Sequence, residues 1–257
     1  MQGTVREPAV AGQFYPAAPR ELGALVDRLL RSVMPSPRRP KAVIVPHAGF
    51  IYSGPIAAAA FAQIAPFAHE LRRIVLVGPA HRIYVSSLVS PGVDRLRTPL
   101  GELAVDTAAL ASARIAPHPA AHAHEHSLQV ELPFIAKLAP KARIVPLVVT
   151  EAAPDTVART LEALWGGPET LIVISSDLSH YLPYREGRRF DERTVAKILA
   201  AEPTLIGDEA CGCAAINGLL AIGRVTGELV DLRSSGDTAG TRDEVVGYGA
   251  FAFVEHS

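Results

Sequence analysis

Three histidines, His47, His81 and His180, stand at comparable places in the chain. AVIV precedes Pro46 and His47, IVLVGPA precedes His81, and LIVISSDLS precedes His180. Short runs of this kind, rich in Val and Ile with little alternation, read as strands covered on both faces. In an open α/β sheet, residues just past the carboxyl ends of parallel strands converge on the ligand crevice, however far apart they are in sequence. One histidine so placed would read as structural; three point to a shared site. Imidazole is the commonest neutral metal ligand near neutral pH. Two imidazoles, an anionic third donor and open positions describe a redox-active non-haem iron centre. On spacing alone the third donor stays open among Asp177, Glu125, Glu131 and the thiolate of Cys211.

The neighbouring residues suit such a site. PHAGFIYSG places Gly49, Ser53 and Gly54 ahead of an Ala-rich segment, where small residues let the backbone approach a bound group and free helix N–H groups favour an oxygen ligand. Tyr52 of the same segment is expected in the substrate pocket. In SSDLSH, buried polar groups cost about 1–3 kcal/mol each unless paired. The expectation is therefore that Ser175, Ser176, Asp177 and His180 line the rim of the pocket. Asp177 would accept a ring N–H of His180, which would then act as general acid or base. Cys211 and Cys213, in ACGCAAING, are too close in sequence for an unstrained bridge and read as free thiols in a reducing compartment. Cys213 reads as a small core residue. In HPAAHAHEHS, His118, His122 and His124 read as a solvated loop, whereas His126 opens a helix-like segment, SLQVELPFIAKL.

The elements that must position these groups alternate along the chain. Strands are expected over 41–46, 72–79, 142–149, 170–176, 227–233 and 248–254. Helices are expected over 19–33, 106–115, 154–165, 185–200 and 213–225, with Asp106 and Asp155 as N-terminal caps. Strand-helix alternation implies a central sheet with helices on both faces, and the last two strands, with no helix between them, imply an antiparallel hairpin at one end. No linker, repeat or low-complexity tract divides the 257 residues, a length that fits one α/β domain with a substantial core.

Composition removes several function classes. The chain is 49% hydrophobic and 20% charged, which argues for a globular protein. A net charge of −1 favours neither nucleic acid nor an anionic membrane as partner. No apolar run reaches the roughly 18–20 residues that span a bilayer. MQGTVREPAVAGQFYP has no basic segment followed by an apolar one, so a cytoplasmic location is the expectation.

REPAVAGQFYP, VPHAGFIYSG, GPAHR, EHSLQVELPF, SSDLSHY and ACGCAAING follow one another in an order that resembles the Memo family, also called AmmeMemoRadiSam system protein B. The likeness runs from Glu7 to about Val254. The family in turn resembles the LigB-type extradiol dioxygenases. The resemblance implies a single α/β domain over 1–257, a sandwich with a central mixed, largely parallel sheet flanked by helices. It implies His47, His81 and Cys211 as metal ligands, with Cys211 where the dioxygenases carry a carboxylate. His180 falls on their catalytic histidine, and His126 and Asp177 fall on pocket positions. Iron(II) is the implied metal, with copper or zinc as alternatives. A thiolate in place of a carboxylate changes the donor set, so ring-opening activity is not carried over with the fold. A metal-dependent redox protein acting on a small-molecule substrate is the leading expectation. A non-catalytic protein binding a small molecule or peptide is the second, and metal-assisted hydrolysis the third. The family name implies a radical-SAM protein and an AMMECR1-like protein as partners.

Overall fold

The computed structural model describes residues 3–256. In chain order the elements are β1 (Val5–Arg6), α1 (Pro19–Arg31), β2 (Ala42–Val45), α2 (Gly54–Ile64), β3 (Arg73–Pro79), β4 (Arg95–Thr98) and β5 (Gly101–Ala104). Then come α3 (Thr107–Ser112), α4 (Pro119–Ala123), α5 (Leu132–Leu138), β6 (Arg143–Val149), α6 (Pro154–Ala163), β7 (Thr170–Ser175) and β8 (His180–Leu182). The chain finishes with α7 (Tyr184–Leu199), α8 (Cys213–Ala221), β9 (Val225–Ser234) and β10 (Val245–Glu255).

The main sheet runs β6-β3-β7-β2-β10, with β8 and β9 both paired to β10. β6, β3, β7 and β2 are mutually parallel, and β10 is antiparallel to β2, β8 and β9. The expected mixed, largely parallel sheet and the terminal hairpin are both present. The four parallel strands carry almost unbroken apolar runs because both faces are covered. Every residue of β2 and of β7 is buried.

Connection directions fix which face each helix covers. The chain passes from β2 through α2 to β3, moving one way across the sheet. It returns from β6 through α6 to β7, moving the other way. Right-handed crossovers therefore put α2 and α6 on opposite faces. On the first face α1 packs against α2 and α5, and on the second α6 packs against α8. α1 begins on Pro19, carries Glu21 in its first turn and Arg28 and Arg31 in its last, and buries Leu22 and Val26 one turn apart. α2 lies between the sheet and α1, so nearly all its residues are buried, and its alanines let it sit close to the strands.

Asp106 caps α3 as expected, its carboxylate accepting the Ala109 N–H at 3.0 Å. Asp155 does not cap α6; that helix starts after Ala153 on Pro154, and Asp155 lies inside its first turn. A small second sheet, β1-β4-β5, was not foreseen. Its strands RLRT and GELA are short and half exposed, so they lack an apolar run.

Candidate metal centre

The neighbours β3, β7 and β2 bring the site together. The carboxyl end of β2 leads to His47, that of β3 to His81, and that of β7, between them, to Ser176 and Asp177. Val45 pairs with Ser175 in register, so two residues further on His47 lies beside Asp177. The Asp177 carboxylate accepts the His47 N–H at 2.8 Å, and the Ser176 N–H donates to the Val45 carbonyl at 2.8 Å. His126 arrives from elsewhere, on the loop between α4 and α5. That loop is held down from two sides. Ser127 Oγ donates to the Pro79 carbonyl at the end of β3 (2.8 Å), and Ser175 Oγ donates to the Ser127 carbonyl (2.7 Å). From outside, the Arg6 guanidinium donates to the carbonyls of His122 and Glu125, and Gln129 bridges to Glu7 and Ala9. The N-terminal REPA segment is thus a brace for the loop that carries His126.

The three rings meet. Their centroids are 5.3 Å apart for His47 and His81, 5.3 Å for His47 and His126, and 4.8 Å for His81 and His126. One nitrogen from each lies within 4.8 Å of the others. Nitrogens bound to one ion at ~2.1 Å are at most about 4.2 Å apart, so the triangle is near the size a metal requires. Ring orientation supports the fit. His47 Nδ1 lies 2.7 Å from Ser175 Oγ, and His81 Nδ1 lies 3.0 Å from Glu125 Oε1. Glu125 also accepts the backbone N–H groups of His81 (2.6 Å), His126 (2.8 Å) and Ser127 (2.9 Å). A carboxylate only accepts, so His81 carries its proton on Nδ1 and keeps the Nε2 lone pair free.

The structure sorts the sequence-level candidates. His47, His81 and His126 form the mutual cluster. His126, expected only as a pocket residue, takes a place in it that was expected for Cys211. The Cys211 sulfur is not one of the cluster's ligand atoms, but it lies 3.5 Å from His47 Nε2 and so borders the same position. It is held there by the Asp177 N–H at 3.3 Å. The three carboxylates considered as third donor have other roles. Glu125 is saturated by His81, His126 and Ser127, Glu131 is sealed behind Ser175, and Asp177 supports the backbone at His47. Asp177 and His180 do not form the expected pair: the His180 ring makes no hydrogen bond to that carboxylate, which instead orients His47. Ser175 and Ser176 are fully buried behind the wall, not on its rim, and Ser176 Oγ joins the Asp177 carbonyl to the Gly212 N–H.

The cleft over the cluster has a volume of about 590 Å³. Gly49, Tyr52, His126, Asp177 and His180 all line it. Phe14, Tyr181 and Tyr248 line it too; the first two lie in the REPAVAGQFYP and SSDLSHY motifs but had no expected place in the site, and Tyr248 lies in none of the motifs. Phe14 packs its ring 4.9 Å from that of His126, which gives the AGQFYP segment its place in the site. Tyr181, next to His180, is 70% exposed and holds a left-handed backbone at φ +58°, unusual for a residue with a side chain.

Burial sets the electrostatics. It drives His47 well below the usual imidazole range, with His126 and His81 adding to the effect, and takes His126 down to about 4. It also lowers His180. The His47 and His126 rings are therefore neutral, with a lone pair each to offer an ion. Burial alone would raise Glu125, but the His81 ring and the N–H groups of Ser127 and His81 outweigh it and hold the carboxyl well below its ordinary value. Asp177 is pushed up to about 7 by burial, against the opposing His47 N–H. Burial and the nearby Asp177 push the Cys211 thiol up.

The remaining histidines differ from a solvated tract. His122 is buried, its Nε2 donating to the Val89 carbonyl at 3.0 Å, and His118 caps α4 through the Ala121 N–H. Only His124 of the three is exposed. Cys213 begins α8 and packs, partly buried, against the core.

A mixed α/β sheet with an imidazole-lined cleft at the carboxyl ends of adjacent parallel strands is an arrangement that could hold an ion. Comparison with known families makes the class specific. Residues 6–252 match the family described as Memo-like protein. A MEMO1 family protein of Aquifex aeolicus is 35% identical over 97% of this chain and 99% of its own length. Relatives of the same description from Archaeoglobus fulgidus (34%, 97% and 99%) and Thermotoga petrophila (32%, 95% and 97%) are similar throughout. The chain belongs to the Memo family. Among the described residues, no helix is long and apolar enough to cross a membrane.

Proposed function

We propose that this protein holds a single transition-metal ion on His47, His81 and His126, with Cys211 beside it, and uses it in redox chemistry on a small molecule bound in the cleft. The observation that carries this reading is the convergence of three imidazole rings, two of them tied from behind through Nδ1. Tied rings lose less freedom on binding and present one lone pair each. Three imidazoles with a neighbouring thiol suit iron(II) first, with copper and zinc as the alternatives. Such an ion would supply Lewis acidity and, if iron or copper, electron transfer.

The protein's own groups would do the rest. His180, held at the cleft wall and outside the three-ring cluster, would take or give a proton on the bound substrate. Phe14, Tyr52, Tyr181 and Tyr248 offer an aromatic lining for a flat or apolar substrate portion. Ring-opening of catechols is not part of the proposal, because among the described residues the cluster of ligand atoms is three imidazoles and includes no carboxylate, unlike a two-histidine, one-carboxylate set.

The test is anaerobic iron(II) titration of wild type, His81→Ala, His126→Ala and Cys211→Ser, with elemental analysis of protein purified without chelators. Tight, stoichiometric binding by wild type that falls at least tenfold in both histidine variants supports the reading, and a smaller loss in Cys211→Ser places the thiol beside the ion, not on it. Equal, weak binding by wild type and His81→Ala ends it.

A further inference from the structure

Glu131 is fully buried at the start of α5, and no cation pairs with it among the described residues. Its side chain caps none of the α5 amides. One oxygen, Oε1, lies 3.1 Å from Ser175 Oγ, and the other, Oε2, has no partner. Ser175 Oγ therefore has three neighbours: the Ser127 carbonyl at 2.7 Å, His47 Nδ1 at 2.7 Å and Glu131 Oε1 at 3.1 Å.

A serine hydroxyl has one hydrogen to give and two lone pairs. The Ser127 carbonyl can only accept, and at 2.7 Å it must receive that hydrogen; otherwise two oxygens would face each other lone pair to lone pair. Both remaining neighbours must then donate to Ser175. His47 gives its Nδ1–H, and Glu131 gives a carboxyl O–H. We infer that Glu131 is a permanently protonated carboxylic acid that acts through Ser175 as a positioning residue, fixing His47 in the Nδ1–H tautomer with its Nε2 lone pair turned to the cleft.

The surroundings agree with the donor count. Burial drives the Glu131 carboxyl well above its ordinary range, and the nearby Asp177 adds to this. A bare carboxylate would leave a buried charge with no counter-ion, whereas the acid leaves only an unpaired carbonyl, which is far less costly. His81 is fixed by an ionised acceptor, Glu125, and His47 by a neutral donor relay. The two rings reach the same tautomer by opposite means.

The inference rests on the proposed metal site only for its use; the protonation and the tautomer exist without metal. Infrared spectroscopy of the metal-free protein at neutral pH is the direct test. We expect a protonated-carboxyl C=O band, on the high-frequency side of the amide I envelope, that disappears in Glu131→Gln. Nitrogen-15 NMR of wild type is the second readout and needs no variant to fold: His47 should show a protonated Nδ1 and an unprotonated Nε2. Glu131→Gln, whose amide N–H can replace the acid O–H as donor, should keep iron(II) affinity within about threefold. Ser175→Ala, which cuts the relay, should weaken it by about 10–100-fold. A carboxylate band that vanishes in Glu131→Gln, or a His47 protonated on Nε2, overturns the inference. If wild type shows the acid band and the Nδ1–H tautomer but binds no iron(II), the metal reading fails and this one stands.

Discussion

Replacing Glu125 with Gln should loosen two of the three clustered histidines at once. The carboxylate is buried and accepts four donors: the His81 ring at 3.0 Å and the N–H groups of His81 (2.6 Å), His126 (2.8 Å) and Ser127 (2.9 Å). A glutamine has one accepting oxygen and one donating nitrogen. With the nitrogen at Oε2, it faces the His81 N–H. With the nitrogen at Oε1, it faces three donors. At least one charge-assisted bond, worth roughly 1.5–3 kcal/mol, is lost, and the remaining bonds weaken as the charge disappears. We expect about 2–4 kcal/mol of destabilisation in urea unfolding at pH 7, read as a lower midpoint with an unchanged slope. Separately, iron(II) affinity should fall about 10–100-fold because the His81 ring is then held by a neutral amide oxygen at best, and its basicity drops with the lost charge. A stability loss below about 0.5 kcal/mol would show that the four contacts do not act as the geometry requires.

Other substitutions probe the surroundings. His122 is buried and neutral, and burial lowers it from 6.5 to about 4, despite the opposing bond to Val89. The unfolded chain takes up that proton first, so its contribution is complete above pH 6.5 and is lost as pH falls towards 4. That loss amounts to roughly 3 kcal/mol. The difference in unfolding free energy between wild type and His122→Gln, which can still donate to Val89, should shift by that amount from pH 7 to pH 4. A flat difference would exclude a buried neutral ring. Gly247→Ala puts a methyl group into the Asp191 carboxylate, which accepts the Ser179 N–H at 3.0 Å ahead of His180. Calorimetry should record a loss of roughly 2–4 kcal/mol, from overpacking plus one buried hydrogen bond. Gly218→Ala drives a methyl group from α8 into Val157 of α6; it should cost roughly 1–3 kcal/mol in urea unfolding while leaving the infrared signature of Glu131 unchanged.

The parallel core was legible in the sequence because strands buried on both faces leave continuous apolar runs, as at 42–45, 73–79, 143–149 and 170–175. Placing His47, His81 and His180 after such runs sufficed to anticipate one cleft. What stayed hidden depends on contacts between distant segments. SLQVELPFIAKL reads as a helix-like segment, yet α5 begins only at Leu132, because Ser127 is tied to Pro79 and Ser175 and its N–H to Glu125. Glu125 was visible as a candidate donor, but its role as acceptor for His81 depends on a partner 44 residues away. His122 looked like part of a polar tract because nothing local reveals that Arg6 and Val89 close over it.

β10 gives the cleft a late date of birth. Its Gly247 exchanges backbone hydrogen bonds with the segment leading to His180, donating to Ser179 and accepting from Leu178, each at 2.8 Å. Tyr248, also on β10, forms part of the wall. Arg6, ahead of α1, and β10, after β9, thus clasp residues that lie between them in sequence. A nascent chain still lacking residues 245–255 has all the cluster histidines but no finished enclosure for them. Whatever occupies the cavity is therefore enclosed only once residues 245–255 are in place.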